Sequence, residues 1–294
     1  MRLLMASAAA LTLLAACGPT TEETAEPAAP AGPVLGKIET TPEITAADLS
    51  ARVKELSDDK YEGRGPGTVA GEASAQWIAD EMKRAGVEPG NPDGTYFQTV
   101  EMVAQTVDPA TSSLKIAGPD KTWDLKLGPD AVFITKHQDK PTVSFENSDL
   151  VFVGYGVVAP ENNWDDYAGV DMKGKTAVMF VNDPGFVTRD NSLFNGQAMT
   201  YYGRWTYKYE QAAKQGATAA LIIHETEPAA YGWNVVEDSW TGEQADLVRA
   251  NNGADRALLE GWIQLNYATE MFKAAGLVID HLRAVANKRG FRRV

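Results

Sequence analysis

The chain has 294 residues, 44% of them hydrophobic and 23% charged, enough apolar content to bury a core in one large domain or two modest ones. Its 40 acidic residues outnumber 27 basic ones, for a formal charge of −13. A field of that sign repels phosphate, so a nucleic-acid partner is not expected and phosphate-rich ligands are disfavoured.

The first elements concern export. MRLLMASAAALTLLAAC places one positive charge, Arg2, before an apolar run from Leu3 to Leu14 and small residues before Cys17, the layout of a secretory signal over residues 1–16. Leu14-Ala15-Ala16-Cys17 resembles a bacterial lipobox, which makes Cys17 the expected lipidation site. An ordinary signal cut near Ala16 leaves Cys17, the single cysteine, as an unpaired thiol in an oxidising compartment. The expected product is an exported lipoprotein facing the periplasm or cell surface. No other apolar run approaches a spanning length, so the lipid is its only expected membrane attachment. Residues 17–47 are rich in Pro, Ala, Thr and Glu and read as a disordered tether, about 30 Å in reach as a flexible coil.

Order begins near Thr45. Thr45 and Asp48 have capping-box spacing, and Leu49, Val53 and Leu56 share one helical face. KYEGRGPGTVAGE follows, and then a second helix with Ala75, Ile78, Met82 and Ala85 on one side, closed by Gly86. The glycine-rich stretch is not a phosphate loop. No strand precedes it, no lysine follows Gly67 or Gly71, and Asp58, Asp59 and Glu62 repel an anion. Gly63, Gly65 and Gly67 are expected to take positive φ, with Thr68 capping the helix.

From Thr95 the apolar period falls to two. TYFQTVEMV, SLKIA, TWDLKL and AVFI read as strands, with GPDK as a hairpin turn. LVFVGYGVV, KTAVMFVND and ATAALIIHE are nearly continuous apolar runs, expected to be strands covered on both faces. RWTYKYEQAAKQG reads as a helix closed by Gly216. GWIQLN is a last strand, followed by helices near 268–275 and 279–288.

The three histidines are scattered. His137 and Asp139 have a His-x-Asp spacing in a loop expected to be solvated, His224 ends a strand without the second histidine of a zinc helix, and His281 reads as a helix-surface residue. No Gly-x-Ser-x-Gly elbow occurs. The densest chemistry is AMTYYGRWTYKYE, where Tyr201, Trp205 and Tyr209 are expected to stack at helical intervals. Tyr201, Tyr202, Arg204 and Trp205 are candidates for substrate contact, Arg204 for a carboxylate.

LSDDKYEGRGPGTVAGEASAQWIADEMKRAGVEPG, DGTYFQTV, LVFVGYGVVAPENNWDDYAGVDMKGKTAVMFVNDPGF and FNGQAMTYYGRWTYKYEQAAKQGATAALIIHET together resemble the N-terminal portion of exported bacterial di-zinc aminopeptidases that carry a protease-associated (PA) insert. The resemblance spans roughly residues 45–294. It implies an α/β (α+β) fold: a peptidase-like segment over 48–147 with two helices and then strands, an inserted β-rich PA domain over 148–245, and a return segment over 246–294. It also implies peptide hydrolysis with zinc in the intact family and a peptide or protein substrate. The family's zinc ligands have no matching positions here, so no catalytic residue, metal ligand or cofactor is expected in this chain. Two expectations follow: part of a zinc aminopeptidase, inactive alone, or a stand-alone tethered PA module that binds protein or peptide.

Overall fold

The computed structural model describes residues 43–291. The segments expected to be a signal peptide and, up to residue 42, a tether lie outside the described residues, together with Cys17. Among the described residues no helix is long and apolar enough to cross a membrane. The chain forms two compact units that divide between Gln98 and Thr99.

The first unit contains α1 (Ala46–Leu56) and α2 (Val69–Arg84). The expected capping box is present, with Thr45 Oγ1 accepting from the Asp48 backbone and Asp48 accepting from the Thr45 backbone. Thr68 caps α2 through the Gly71 N–H at 3.0 Å. Gly63 and Gly67 take the expected positive φ, but Gly65 does not, and Glu62 and Arg64 turn left-handed instead. The glycine that packing requires is Gly71, where a Cβ would lie 2.0 Å from the Gly65 carbonyl. Leu49, Val53, Ile78 and Met82 are exposed, while α2 buries Ala70, Ser74 and Ala79.

The second unit contains, in chain order, β1 (Met102–Gln105), β2 (Leu114–Ala117), β3 (Thr122–Leu125), β4 (Ala131–Ile134), β5 (Leu150–Phe152), β6 (Val158–Ala159), β7 (Trp164–Asp165) and β8 (Thr176–Phe180). There follow α3 (Gly185–Thr188), α4 (Trp205–Lys214), β9 (Ala219–His224), α5 (Thr226–Ala229), α6 (Trp233–Thr241), β10 (Gln244–Leu247), β11 (Leu259–Gln264), α7 (Leu265–Ala274) and α8 (Ile279–Ala286). The architecture is mixed α/β.

Its centre is a five-stranded sheet in the order β4-β11-β9-β8-β5, parallel except for β4. These strands come from both sides of residues 147 and 245. β8 and β9 are buried at every position, as continuous apolar runs predict for strands covered on both faces. Alternation along the strands sorts the core into two layers. Phe133, Phe180, Leu221, Ile223 and Ile263 meet the β2–β3 hairpin together with α7 and α8. Val132, Met179, Ala220, Ile222 and Trp262 meet Tyr209 and Ala212 of α4 and Val236 and Trp240 of α6. Each fully buried isoleucine or leucine contributes about 1.5–3 kcal/mol by leaving water. At Gly261 the chain accepts no side chain, because a Cβ would lie 2.5 Å from the Val132 carbonyl across the β4–β11 pairing.

The GPDK turn closes β2 onto β3 as expected, with Gly118 N–H donating to Lys121 O at 2.8 Å. The strand expected from Thr95 begins only at Met102 and pairs with β10 rather than with the central sheet. His137 is not solvated: it is 4% exposed, with Nε2 3.2 Å from Arg256 O. The adjacent Gln138 bonds Leu247 O and the Arg249 N–H, so the loop is locked by residues more than a hundred positions away.

Candidate functional site

All four parallel strands end at one edge of the sheet, at Phe152, Phe180, His224 and Gln264. In open α/β sheets that edge is where backbone turns away from the strands and leaves room for ligands. Here β9 and β11 end in register, His224 beside Gln264, and both pass directly into helices. Two adjoining lobes of about 530 Å³ each lie over this pair and share Glu225, Thr226 and Leu265. The first is lined further by His224, Trp233, Gln264, Asn266 and Thr269. The second is lined by Phe186, Val187, Arg189, Gln197, Pro228 and Arg283, with Glu227.

His224 is held as a neutral, oriented ring. Its Nε2 lies 3.0 Å from Tyr231 O, and a carbonyl only accepts, so Nε2 carries the proton and the neutral ring keeps a lone pair on Nδ1. The rings of Tyr231, Trp233 and Trp262 pack around it at 5.9, 5.6 and 6.1 Å. Burial holds the imidazole below its ordinary pKa, partly opposed by the Tyr231 hydrogen bond. Beside it, Glu225 is 9% exposed, and its carboxyl is raised by burial against the opposing pull of Arg283. Arg283 comes from α8, and its Nε and Nη2 both contact Glu225 Oε1, at 3.1 and 2.5 Å.

Beneath the edge lies a buried polar cluster. Asp166 Oδ2 accepts from the backbone of Tyr155 at 3.2 Å and Val157 at 2.9 Å, and Oδ1 accepts from Trp164 Nε1 at 2.8 Å. Lys208 of α4 is fully buried and donates to Tyr155 O at 2.6 Å, with Asp166 and Asp183 as its opposite charges. Burial pushes Asp166 up to about 7 and Lys208 down to about 7, each towards its neutral form. Asp183 accepts from Thr200 N and Oγ1 at 3.0 and 2.7 Å, which pins the stretch after β8, while its Oδ1 is buried without a partner. Asn182 Nδ2 bonds Pro228 O at 2.8 Å and so ties this cluster to a wall of the second lobe.

The residues singled out by sequence fall on the same edge but outside those walls. β8 and β9 are parallel, so the intervening α4 must begin at the carboxyl edge and run back. Tyr201–Gly203 is a short 3₁₀ turn, Arg204 occupies the N-cap position of α4 without a side-chain cap bond, and Trp205 opens the helix. Because α4 begins only at Trp205, Tyr201 does not stack with Trp205 and Tyr209 as expected; its ring meets Tyr207 at 5.3 Å and Tyr202 at 6.4 Å. Trp205 does pack on Tyr209, and on Trp240 at 5.7 Å. Tyr202 donates to Glu161 at 2.5 Å. Arg204 is exposed; burial raises the Tyr231 phenol, with the Arg204 charge opposing the shift, and the Tyr231 ring packs 5.9 Å from His224. Sequence reasoning passed over Glu225, Gln264, Arg189 and Arg283. The one available signal was polar residues directly after apolar strand runs.

Among the described residues no three His, Cys, Asp or Glu side chains form a group that could hold a metal ion. His224 keeps a lone pair on Nδ1, but Glu225 beside it is paired with Arg283 and no further His, Cys, Asp or Glu joins them in a group of three among the described residues, so the side chains present do not fit the zinc that the family resemblance implies.

No family model matches the chain. Among solved structures it is similar to an aminopeptidase from Aneurinibacillus sp. strain AM-1, at 18% identity and a TM-score of 0.30, over 79% of this chain. The chain spans 43% of the length of that protein.

Proposed function

We propose that the chain recognises peptide, as a tethered part of an exported protein of the zinc-aminopeptidase kind in which the described residues supply binding and not metal chemistry. The observation that carries this reading is the two-lobed cleft at the paired ends of β9 and β11. It combines amide and hydroxyl side chains (Gln264, Asn266, Thr269) suited to backbone groups with apolar walls suited to side chains. Arg204 and Tyr201 form its outer rim in this proposal, the exposed guanidinium positioned by the start of α4. The PA assignment of residues 148–245, signal cleavage before Cys17 and acylation there belong to the same proposal, with the lipid holding the domain at a membrane surface.

A specific observation favours a stand-alone binding module as the second form of this reading. The unit from Thr99 covers both faces of its central sheet with its own elements, α4 and α6 on one side and α7, α8 and the β2–β3 hairpin on the other. Either form predicts binding without turnover. Incubating the full chain with zinc and aminoacyl substrates, alongside titration with short peptides, should show peptide binding and no hydrolysis above background. Turnover comparable to an ordinary aminopeptidase contradicts the reading.

A further inference from the structure

We infer that the second lobe of the cleft anchors a peptide by a carboxylate, with the Arg189 guanidinium as receptor and Phe186, Val187 and Leu265 as the wall for the adjoining apolar side chain. This rests on the peptide-binding reading and narrows it to a ligand class.

The chain is acidic overall, so an unused arginine at a cleft is informative. The two arginines of this lobe differ in that respect. Arg283 is committed to Glu225 through Nε and Nη2 and to Asp280 through Nη1. The Arg189 guanidinium makes no hydrogen bond or ion pair with any described residue, although it lines the lobe. Its backbone adds an independent observation. Arg189 ends α3 in the left-handed region at φ +55°, with its N–H on Gly185 O at 3.0 Å, a conformation in which glycine is the comfortable residue. Asn182, Phe194 and Asn195 also have positive φ, so four of the ten such non-glycine residues described fall within one stretch after β8. Backbone held in sparsely populated conformations gathers where a side chain must be presented in a fixed direction.

The charge pattern selects the ligand. Glu227 lines the same lobe and makes no side-chain ion pair with a described residue, so the lobe is not a sink for a doubly charged phosphate. A planar, singly charged carboxylate suits one guanidinium fork and tolerates an acid nearby, which accepts a peptide N–H. Arg189 is exposed, as are Val187 and Leu265, so the ion pair forms at a solvated rim and responds strongly to salt.

The test is titration of the full chain with N-acetyl-Ala-Ala-Phe as the free acid and as its C-terminal amide. We expect the acid to bind about fivefold or more tightly than the amide, the preference to shrink as salt rises, and Arg189→Gly to abolish it. Glycine suits the left-handed backbone, so an unchanged melting temperature should show that the fold survives. Equal binding of acid and amide overturns the carboxylate anchor and leaves peptide binding standing. An acid preference that survives in R189G overturns the assignment to Arg189. Inorganic phosphate competing as well as the peptide acid overturns the ligand class, and binding of neither peptide overturns the underlying reading as well.

Discussion

Arg283 holds Glu225 by a single carboxylate oxygen, with Nε at 3.1 Å and Nη2 at 2.5 Å from Oε1, so the end of β9 is fastened to α8 at the floor both lobes share. Arg283→Met removes the cation and leaves Glu225 largely buried. The loss should be about 2–4 kcal/mol at neutral pH. Without the arginine, the Glu225 pKa in the folded chain rises further above its unfolded value, so the folded form takes up the proton first and the penalty applies above that pKa. Chemical denaturation of R283M should therefore show a smaller deficit at pH 5 than at pH 8. A deficit independent of pH would mean that the pair is not what stabilises this join.

Asp166 offers a second test, because its two oxygens accept three N–H groups in the interior. In Asp166→Asn one oxygen can still take the Tyr155 and Val157 amides, but the new NH₂ then faces the Trp164 indole N–H, donor against donor. The variant should lose about 1–3 kcal/mol, and the Trp164 fluorescence should shift as the indole gives up its partner. Stability equal to the parent would show that the Trp164–Asp166 hydrogen bond contributes nothing to the fold.

Lys208 bears on pH. Its ammonium is depressed to about 7 in the folded chain against 10.5 when exposed, so between those values the unfolded chain binds more protons and stability rises with pH. Asp166, raised to about 7, works in the opposite sense between its unfolded pKa of 3.8 and 7, where the folded chain holds the extra proton. The stability of the parent relative to Lys208→Met should therefore increase from pH 7 to pH 9. A flat difference would show that Lys208 stays charged inside the fold.

Much of the scaffold was legible because its signals are local. The Thr45–Asp48 box, the GPDK turn, the continuous runs of β8 and β9 and the glycine after α4 each depend on residues within a few positions of one another. What escaped depends on distant partners. His137 looks like a loop histidine until Arg256 closes over it; α6, by contrast, carries a local signal that the sequence reading omits, Trp233, Val236 and Trp240 at helical intervals. The helix from Arg204 was visible, but that Tyr201 lies off it was not, because the Tyr201–Gly203 turn fits at Gly203 against Asn182 and Asp183, a contact no spacing reveals. The cleft was hidden for the same reason: it exists because His224 and Gln264 end in register.

Hydrogen exchange of the full chain with and without saturating N-acetyl-Ala-Ala-Phe reports whether peptide binds over those paired strand ends. Peptide seated there slows exchange in residues 185–189, 225–230 and 265–269 and leaves the α4–α6 contact at Trp205 and Trp240 unchanged. Protection confined to other segments, with these three unaffected while peptide is bound, would contradict it.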